Sequence, residues 1–344
     1  MVLPPASQAF DAHHIAAVLG DVLLSPGSTF SLMSLAVAGA IAAGFLIRRR
    51  LQAGRGMPRM AAMGRALFRR DLWLAPSSRA DAWLFLLNIF ATGALIGWGI
   101  WSASAIADGL GHGLDGAFGP AGASMLPAWA ASGLVTLVLF LAYDFSYWVD
   151  HWLKHKVPLL WEFHRVHHTA EVLTPLTAFR MHPIDSLVFT NIVALGVGAA
   201  AGVMQHLLGP AQPVLLSGTN VLLVLFVCAT IHLQHSHLPI HFKGWLSKII
   251  FSPAHHQVHH STCPAHFGSN LGSCLAVWDR MFGTLIAPAN EKLTFGADVE
   301  QDRYGPHTIA GLLIQPFVNA GRLLIPQQAL ALLPFVRRRS QAAS

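Results

Sequence analysis

The stretch AWAASGLVTLVLFLAYDFSYWVDHWLKH, residues 128–155, runs from sixteen almost wholly apolar residues directly into Asp144, Asp150, His151 and His155. An apolar run of this kind belongs in lipid, and ionisable residues at its end mark where the chain leaves the bilayer. Working outward, Phe30–Ile47, Ala82–Trp101, Leu187–Leu207 and Val214–Ile231 join Ala128–Tyr143 as stretches suited to a bilayer, which takes about 20 helical residues to cross. The last two are joined through Gly209-Pro210 and read as a hairpin. Composition agrees: 53% of the 344 residues are hydrophobic and 11% charged, against about 25% charged in a soluble domain. Ordinary globular, disordered and coiled-coil readings are excluded together. The fold expected is all-α and integral to the membrane, with about five transmembrane helices.

The basic residues give the threading. All 22 Lys and Arg fall in 48–79, 154–180 and 243–339, and none occurs in 1–47, 80–153 or 181–242. Five spans place the N-terminus, the 102–127 loop and the 208–213 turn on one side and every basic residue on the other. The positive-inside rule makes that second side cytoplasmic. The run Arg48-Arg49-Arg50 reads as an interface anchor and not as a nucleic-acid contact, despite the net charge of +6. Residues 1–47 lack the basic start of a signal peptide. The stretch Thr308–Arg339, broken by Pro316, Pro326 and Pro334, reads as interfacial or packed on the site domain.

Chemistry concentrates on the basic side. Of 20 histidines, 16 lie between His151 and His266, whereas the three cysteines (Cys228, Cys263, Cys274) have no Cys-x-x-Cys spacing. Neither a disulfide framework nor a thiolate metal site is indicated. His151 and His155 sit four apart. His164, His167 and His168 form one His-x-x-His-His box and His256, His259 and His260 a second. On a helix, residues three and four apart share a face, so each box is expected to converge as a chelating triad. One such pair arises by chance, but three sets on one membrane side do not read as packing. Clustered imidazoles repel when protonated and gain nothing from burial unless paired or metallated. Eight histidines exceed one tetrahedral zinc and fit two metal ions. Imidazole alone suits iron, zinc, copper and nickel. Further ligands are expected from His235 first, then His182, with His237, His241 and His232 behind. Asp144, Asp150, Glu162, Glu171, Asp185 and Asp279 are expected to orient imidazoles through their second ring nitrogen.

These boxes resemble the fatty acid hydroxylase/sterol desaturase superfamily. So do Asp144-Phe-Ser-Tyr-Trp148, His182-Pro183, His235-Ser236, Ser269-Asn-Leu-Gly272 and Trp278-Asp-Arg-Met-Phe-Gly-Thr284. The likeness covers about Leu134 to Thr284, and the His-Gln-Val-His-His-Ser form of the last box leans towards bacterial and alkylglycerol-monooxygenase-like members. It implies a transmembrane base under a cytoplasmic histidine-rich helical cap, a non-haem di-iron centre with two irons per chain, and oxidation of lipid C–H bonds with O2 as co-substrate. The family's ligands carry over onto His151, His155, His164, His167, His168, His256, His259 and His260, and onto His182 and His235. Where many members have Asn after the His-Ser pair this chain has His237, so that residue stands as an additional candidate. Three regions follow: 1–133 with two spans and a basic linker, 134–284 catalytic, and 285–344 a cytoplasmic or interfacial tail.

The substrate implied is a membrane lipid: fatty acyl, sterol-like or ether lipid. Loss of one hydrogen atom and return of hydroxyl gives an alcohol; loss of a second gives a double bond. No dinucleotide fingerprint or haem attachment motif occurs, since Gly196-Val-Gly198 lies inside an apolar span. An external reductase or small redox carrier is therefore expected, and no nucleic-acid partner. The composition leans to a bacterial inner membrane. The rival reading is a zinc-dependent hydrolase or transport protein, disfavoured by the absence of His-Glu-x-x-His and by spans almost free of ionisable residues.

Overall fold

The computed structural model describes residues 12–120, 124–289 and 292–324. Its long helices are α2 (Leu32–Gln52), α8 (Ala128–Lys156) and α10 (Pro183–Leu208), each long and apolar enough to cross a membrane. Around them lie α1 (Ala12–Leu24), α3 (Met60–Leu67), α4 (Arg70–Trp73), α5 (Pro76–Leu87), α6 (Gly93–Ile96), α7 (Ala103–Phe118), α9 (Pro158–His168), α11 (Val221–Phe226) and α12 (His232–Gln234). Short helices α13 (Pro253–His259), α14 (Val277–Met281), α15 (Ile309–Leu313) and α16 (Gln315–Leu324) complete the described chain.

Two of the five expected spans take other forms. The stretch Ala82–Trp101 is broken by a π turn at Asn88–Thr92 and a 3-10 turn at Gly97–Gly99, so Pro76–Thr92 and Gly97–Phe118 form a pair bent by 65°. The last stretch loses its first residues to a tight hairpin, Leu215–Leu216 against Thr219–Asn220, turned by Ser217 (φ 48°) and Gly218 (φ 77°). Only Val221–Gln234 remains helical there, including a π turn at Val227–Ile231. At 1.5 Å per residue, about 20 Å of helix is short of a 30 Å hydrocarbon core.

The expected 102–127 loop is helical over Ala103–Phe118. Its four glycines and polar residues hide the helix from a hydropathy reading, but small residues are what the packing requires. A Cβ at Gly198 of α10 would lie 2.7 Å from the Ala103 carbonyl of α7, and one at Gly202 2.6 Å from the Ala107 carbonyl. The backbones meet at that Gly-x-x-x-Gly stripe, the usual device for close helix contact in lipid.

The threading expected for α2 also differs. Ser34, in its first turn, contacts His232 Nε2 at 3.0 Å, and Ala66 of α3, beyond its far end, accepts from His237 Nε2 at 2.8 Å. Between these ends Ala38 and Ala42 pack in a cluster with Leu233, Leu238 and Ile240. Thus α2 runs alongside the histidine-bearing segment instead of starting on the side away from it. Buried Ser34 needs a polar partner, and His232 supplies it.

Proline sets the remaining geometry. Val157 precedes Pro158 and is held extended (φ −99°, ψ 110°), which ends α8. Pro158 then opens α9 at its first position, so α9 starts afresh and returns His164 and His168 to the end of α8. The described part of the Thr308–Arg339 tail packs on α9, where Asn319 of α16 donates to Glu162 at 3.0 Å; residues 325–339 lie outside the described residues.

Substituting leucine at Gly198 or Gly202 is expected to wedge α7 from α10 and cost about 1–3 kcal/mol at each site. Thermal unfolding in detergent should show a lowered midpoint for both, while Gly109→Ala, which meets open space, should leave it unchanged.

Candidate metal centre

The structure gathers nine histidines into two adjoining groups. His151 and His155 of α8, His164 and His168 of α9 and His259 of α13 form the first, with one ring nitrogen from each lying within 4.8 Å of the others. His167, His235, His256 and His260 form the second on the same criterion. Among the described residues, neither group includes a carboxylate or a thiolate.

Each His-x-x-His-His box is divided between the groups. Consecutive helical side chains diverge by about 100°, so His167 and His168 cannot share one target. His164 and His168, four apart, serve the first group while His167 serves the second. His256 and His260, four apart, serve the second while His259 serves the first. The expectation of one convergent triad per box is thereby corrected: α9 and α13 each supply both groups.

Hydrogen bonds fix how the rings present themselves. His151 Nδ1 donates to the Leu271 carbonyl and His259 Nδ1 to the Ser269 carbonyl, each at 2.8 Å. A proton on Nδ1 leaves the Nε2 lone pair free to bind a cation. The accepting loop is itself clamped by two buried carboxylates. Asp279 accepts from the Leu271 and Gly272 amides at 2.8 Å, from Trp148 Nε1 at 3.2 Å and from Thr284 Oγ1 at 2.6 Å. Asp144 accepts from the Cys274 amide at 2.9 Å, the Leu275 amide at 3.1 Å and Trp278 Nε1 at 2.9 Å. Asn270 sits between them with φ 52° and donates to the His255 and Ile286 carbonyls. The Ser269–Gly272 and Trp278–Thr284 motifs therefore act as a buttress for His151 and His259.

Of the six acids expected against imidazoles, Asp185 alone touches a clustered ring, with Oδ1 3.4 Å from His164 Nδ1. Lys154 bridges it at 2.7 Å to Asp150 at 2.6 Å, all three nearly solvent-free. Asp144 and Asp279 work one step removed, through the loop. Glu162 pairs with Arg165 at 3.5 Å, and the exposed Glu171 with His307 at 3.3 Å; neither reaches the groups.

His182 and His237 do not join either group. His182 caps α10, its Nδ1 accepting from the Ile184 amide at 3.1 Å while Nε2 meets the Leu313 carbonyl at 3.2 Å. Both of its nitrogens are thus engaged. His237 Nε2 is spent on Ala66, His232 on Ser34, and His241 is exposed.

The donor set fits metal ions. His151, His155 and His164 each bury an Nε2 that has no protein partner. In the second group, the Nε2 atoms of His235 and His167, of His256 and His235, and of His260 and His256 lie 3.2, 2.9 and 3.1 Å apart. Two nitrogens bound at about 2.1 Å to one ion at a right angle would lie about 3.0 Å apart. Burial, and then the neighbouring imidazoles, lower His167, His168, His256 and His260 well below the ordinary histidine range. The same burial lowers His235 and His259 to about 3. At neutral pH these rings are uncharged, the form in which imidazole binds metal.

Two polyhistidine groups that could hold metal ions lie at the ends of helices long and apolar enough to cross a membrane. The family comparison sharpens this: residues 136–284 match the fatty acid hydroxylase model, and the relatives this region resembles are lipid hydroxylases and sterol desaturases. It is 31% identical over 160 residues to alkylglycerol monooxygenase of Danio rerio, covering 46% of this chain and 31% of that protein. It is 30% identical over 194 residues to the ornithine lipid hydroxylase OlsE of Rhizobium tropici, covering 56% and 53%. A Delta(7)-sterol 5(6)-desaturase of Gibberella zeae is 29% identical over 168 residues, covering 47% and 45%. The matched region spans about a third of the monooxygenase and about half of the other two. No solved structure matches the chain.

Two outcomes follow. Asp185→Asn, which weakens the hold on His164, should lower metal affinity about 10–100-fold, whereas His237→Ala should leave metal content unchanged; metal analysis after dialysis distinguishes them. Acid should act on the fold itself. Unfolded histidines take protons near 6.5 while His235 and His259 hold out to about 3. Below pH 6.5 the unfolded chain binds more protons, so the metal-free protein is most stable above that pH and loses stability as pH falls towards 3. Denaturant titrations from pH 8 to 5 should show a falling midpoint.

Proposed function

We propose that the chain is an O2-dependent membrane lipid oxidase, a hydroxylase or desaturase acting on an unactivated C–H bond of a fatty acyl, sterol-like or ether lipid. The observation that carries this reading is the division of nine histidines, eight buried and His155 partly so, into two neighbouring groups within the region that matches the fatty acid hydroxylase model. In it, His151, His155, His164, His168 and His259 hold one iron ion and His167, His235, His256 and His260 the other. When bound, the iron pair supplies the one-electron and O2 chemistry that no side chain provides.

The chain's own residues do the rest. Leu271 and Ser269 carbonyls keep His151 and His259 in one tautomer and one orientation. Asp185 holds His164, and the positive charge of Lys154, shared between Asp150 and Asp185, offsets one of the two carboxylates it bridges. Burial of all nine rings, of which only His155 is more than marginally accessible, excludes water from the reacting region. Apolar helices beside the groups let a lipid approach without passing through water, each CH2 so kept being worth about 0.8 kcal/mol. Electrons come from an external reductase or redox carrier. The distribution of Lys and Arg supports a cytoplasmic site, and the composition a bacterial inner membrane.

Protein purified anaerobically from iron-supplemented cells should carry about two irons per chain. His259→Ala should abolish product, detected by comparing the lipids of cells with and without the gene, while membrane insertion is retained. Retained turnover in that variant, or one zinc and no iron in active protein, would overturn the assignment.

A further inference from the structure

The C-terminal turns of α2 fold back on α3 around a cavity of about 430 Å³ lined by Leu46, Arg49, Arg50, Ala53, Arg55, Pro58, Ala62, Met63 and Ala66. No acidic residue lines it. Between Asp21 and Asp71 the sequence has eight arginines and no Asp or Glu, and Asp71 is engaged by Arg69. The arginines at the cavity thus meet no carboxylate from their own stretch of chain. The walls are otherwise apolar. Arg50 is held in place by its Nε, which donates to the Gly56 carbonyl at 2.8 Å, fixing the 53–58 turn that closes the cavity.

Leu46, Arg49, Arg50 and Ala53 recur at the three- and four-residue spacing of one helical face, and Arg49, Arg50 and, from the turn, Arg55 all line the one concavity. Guanidinium forks suit phosphate oxygens, and the apolar walls suit the glycerol and first methylenes of an acyl chain. We propose that this cavity binds the phosphate headgroup of an anionic membrane lipid. Ala66, which lines the cavity, also accepts from His237, two residues from His235. The proposal rests on the placement of α2 in or beside a membrane and is independent of which metal the histidines hold.

The test uses the full-length protein in a neutral detergent and native mass spectrometry with short-chain phosphatidylglycerol or phosphatidylcholine. One phosphatidylglycerol should be retained at concentrations where phosphatidylcholine is not. Arg49→Gln/Arg50→Gln/Arg55→Gln should weaken that retention at least about tenfold, the loss expected when three arginines leave an anionic lipid. Arg48→Gln/Arg59→Gln/Arg65→Gln removes the same charge from outside the cavity and should weaken it less than threefold. Equal loss in both triple variants would show diffuse attraction and overturn the site, as would equal retention of the two lipids. Displacement by millimolar inorganic phosphate would assign the cavity to the free anion and overturn the lipid. Metal content, measured alongside, should stay at the wild-type level in both variants; if the cavity variant loses its metal, Arg→Lys at the same three positions replaces it and should retain the lipid more than the outside variant does.

Discussion

Uncharged imidazoles packed ring against ring in a dry interior are the constraint on which this molecule turns. Neighbouring rings lie with centroids 4.4–6.3 Å apart across the two groups, a density that protonation would disrupt by like-charge repulsion. Each ring must be neutral, oriented and shielded at once. Much of the surrounding polar structure serves those three needs. The carboxylates of Asp144 and Asp279 are turned inward to organise a loop whose carbonyls then hold two histidines.

The arrangement is layered. Asp144 and Asp279 reach backbone amides and indole nitrogens; the loop they shape reaches Nδ1 atoms; the opposite nitrogens face one another. A carboxylate in direct contact with every histidine would bring several negative charges into a low-dielectric interior at a cost of several kcal/mol per ion. Neutral carbonyls orient His151 and His259 without setting a charge directly against the rings. Where a carboxylate does approach, at Asp185, Lys154 stands beside it at 2.7 Å. Arg180 follows the same logic further out: it is fully buried and bonds Asp81 at 2.8 Å together with the Val166 carbonyl and Thr169, tying α5 to α9.

Much of the site was legible in the sequence because ligand chemistry is carried by residue type and spacing. The eight box histidines and His235 stand out without any fold. What spacing could not give was their partition. Sequence distance says that His164 and His167 share a helical face, but not which facing element each meets, and only the crossing of α9 with α13 resolves it. His182 illustrates the converse. A histidine before proline at a helix start is a capping position as readily as a ligand, and the choice depends on Leu313, more than a hundred residues away. Spans were less legible. Hydropathy found α2, α8 and α10, but the π turns within Asn88–Thr92 and Val227–Ile231 have no signature in composition, and the glycines of α7 concealed a helix that exists because they allow contact with α10.

The sharing of α9 and α13 has a consequence for assembly. Neither group can be completed without fixing both helices, since each helix points one face at either set. Under the proposed reading, in which each group takes one ion, the first ion to arrive bears most of the entropic cost of fixing the two segments and the Val157–Pro158 elbow between α8 and α9. The second then finds its donors already aligned, so loading on that reading is expected to be cooperative.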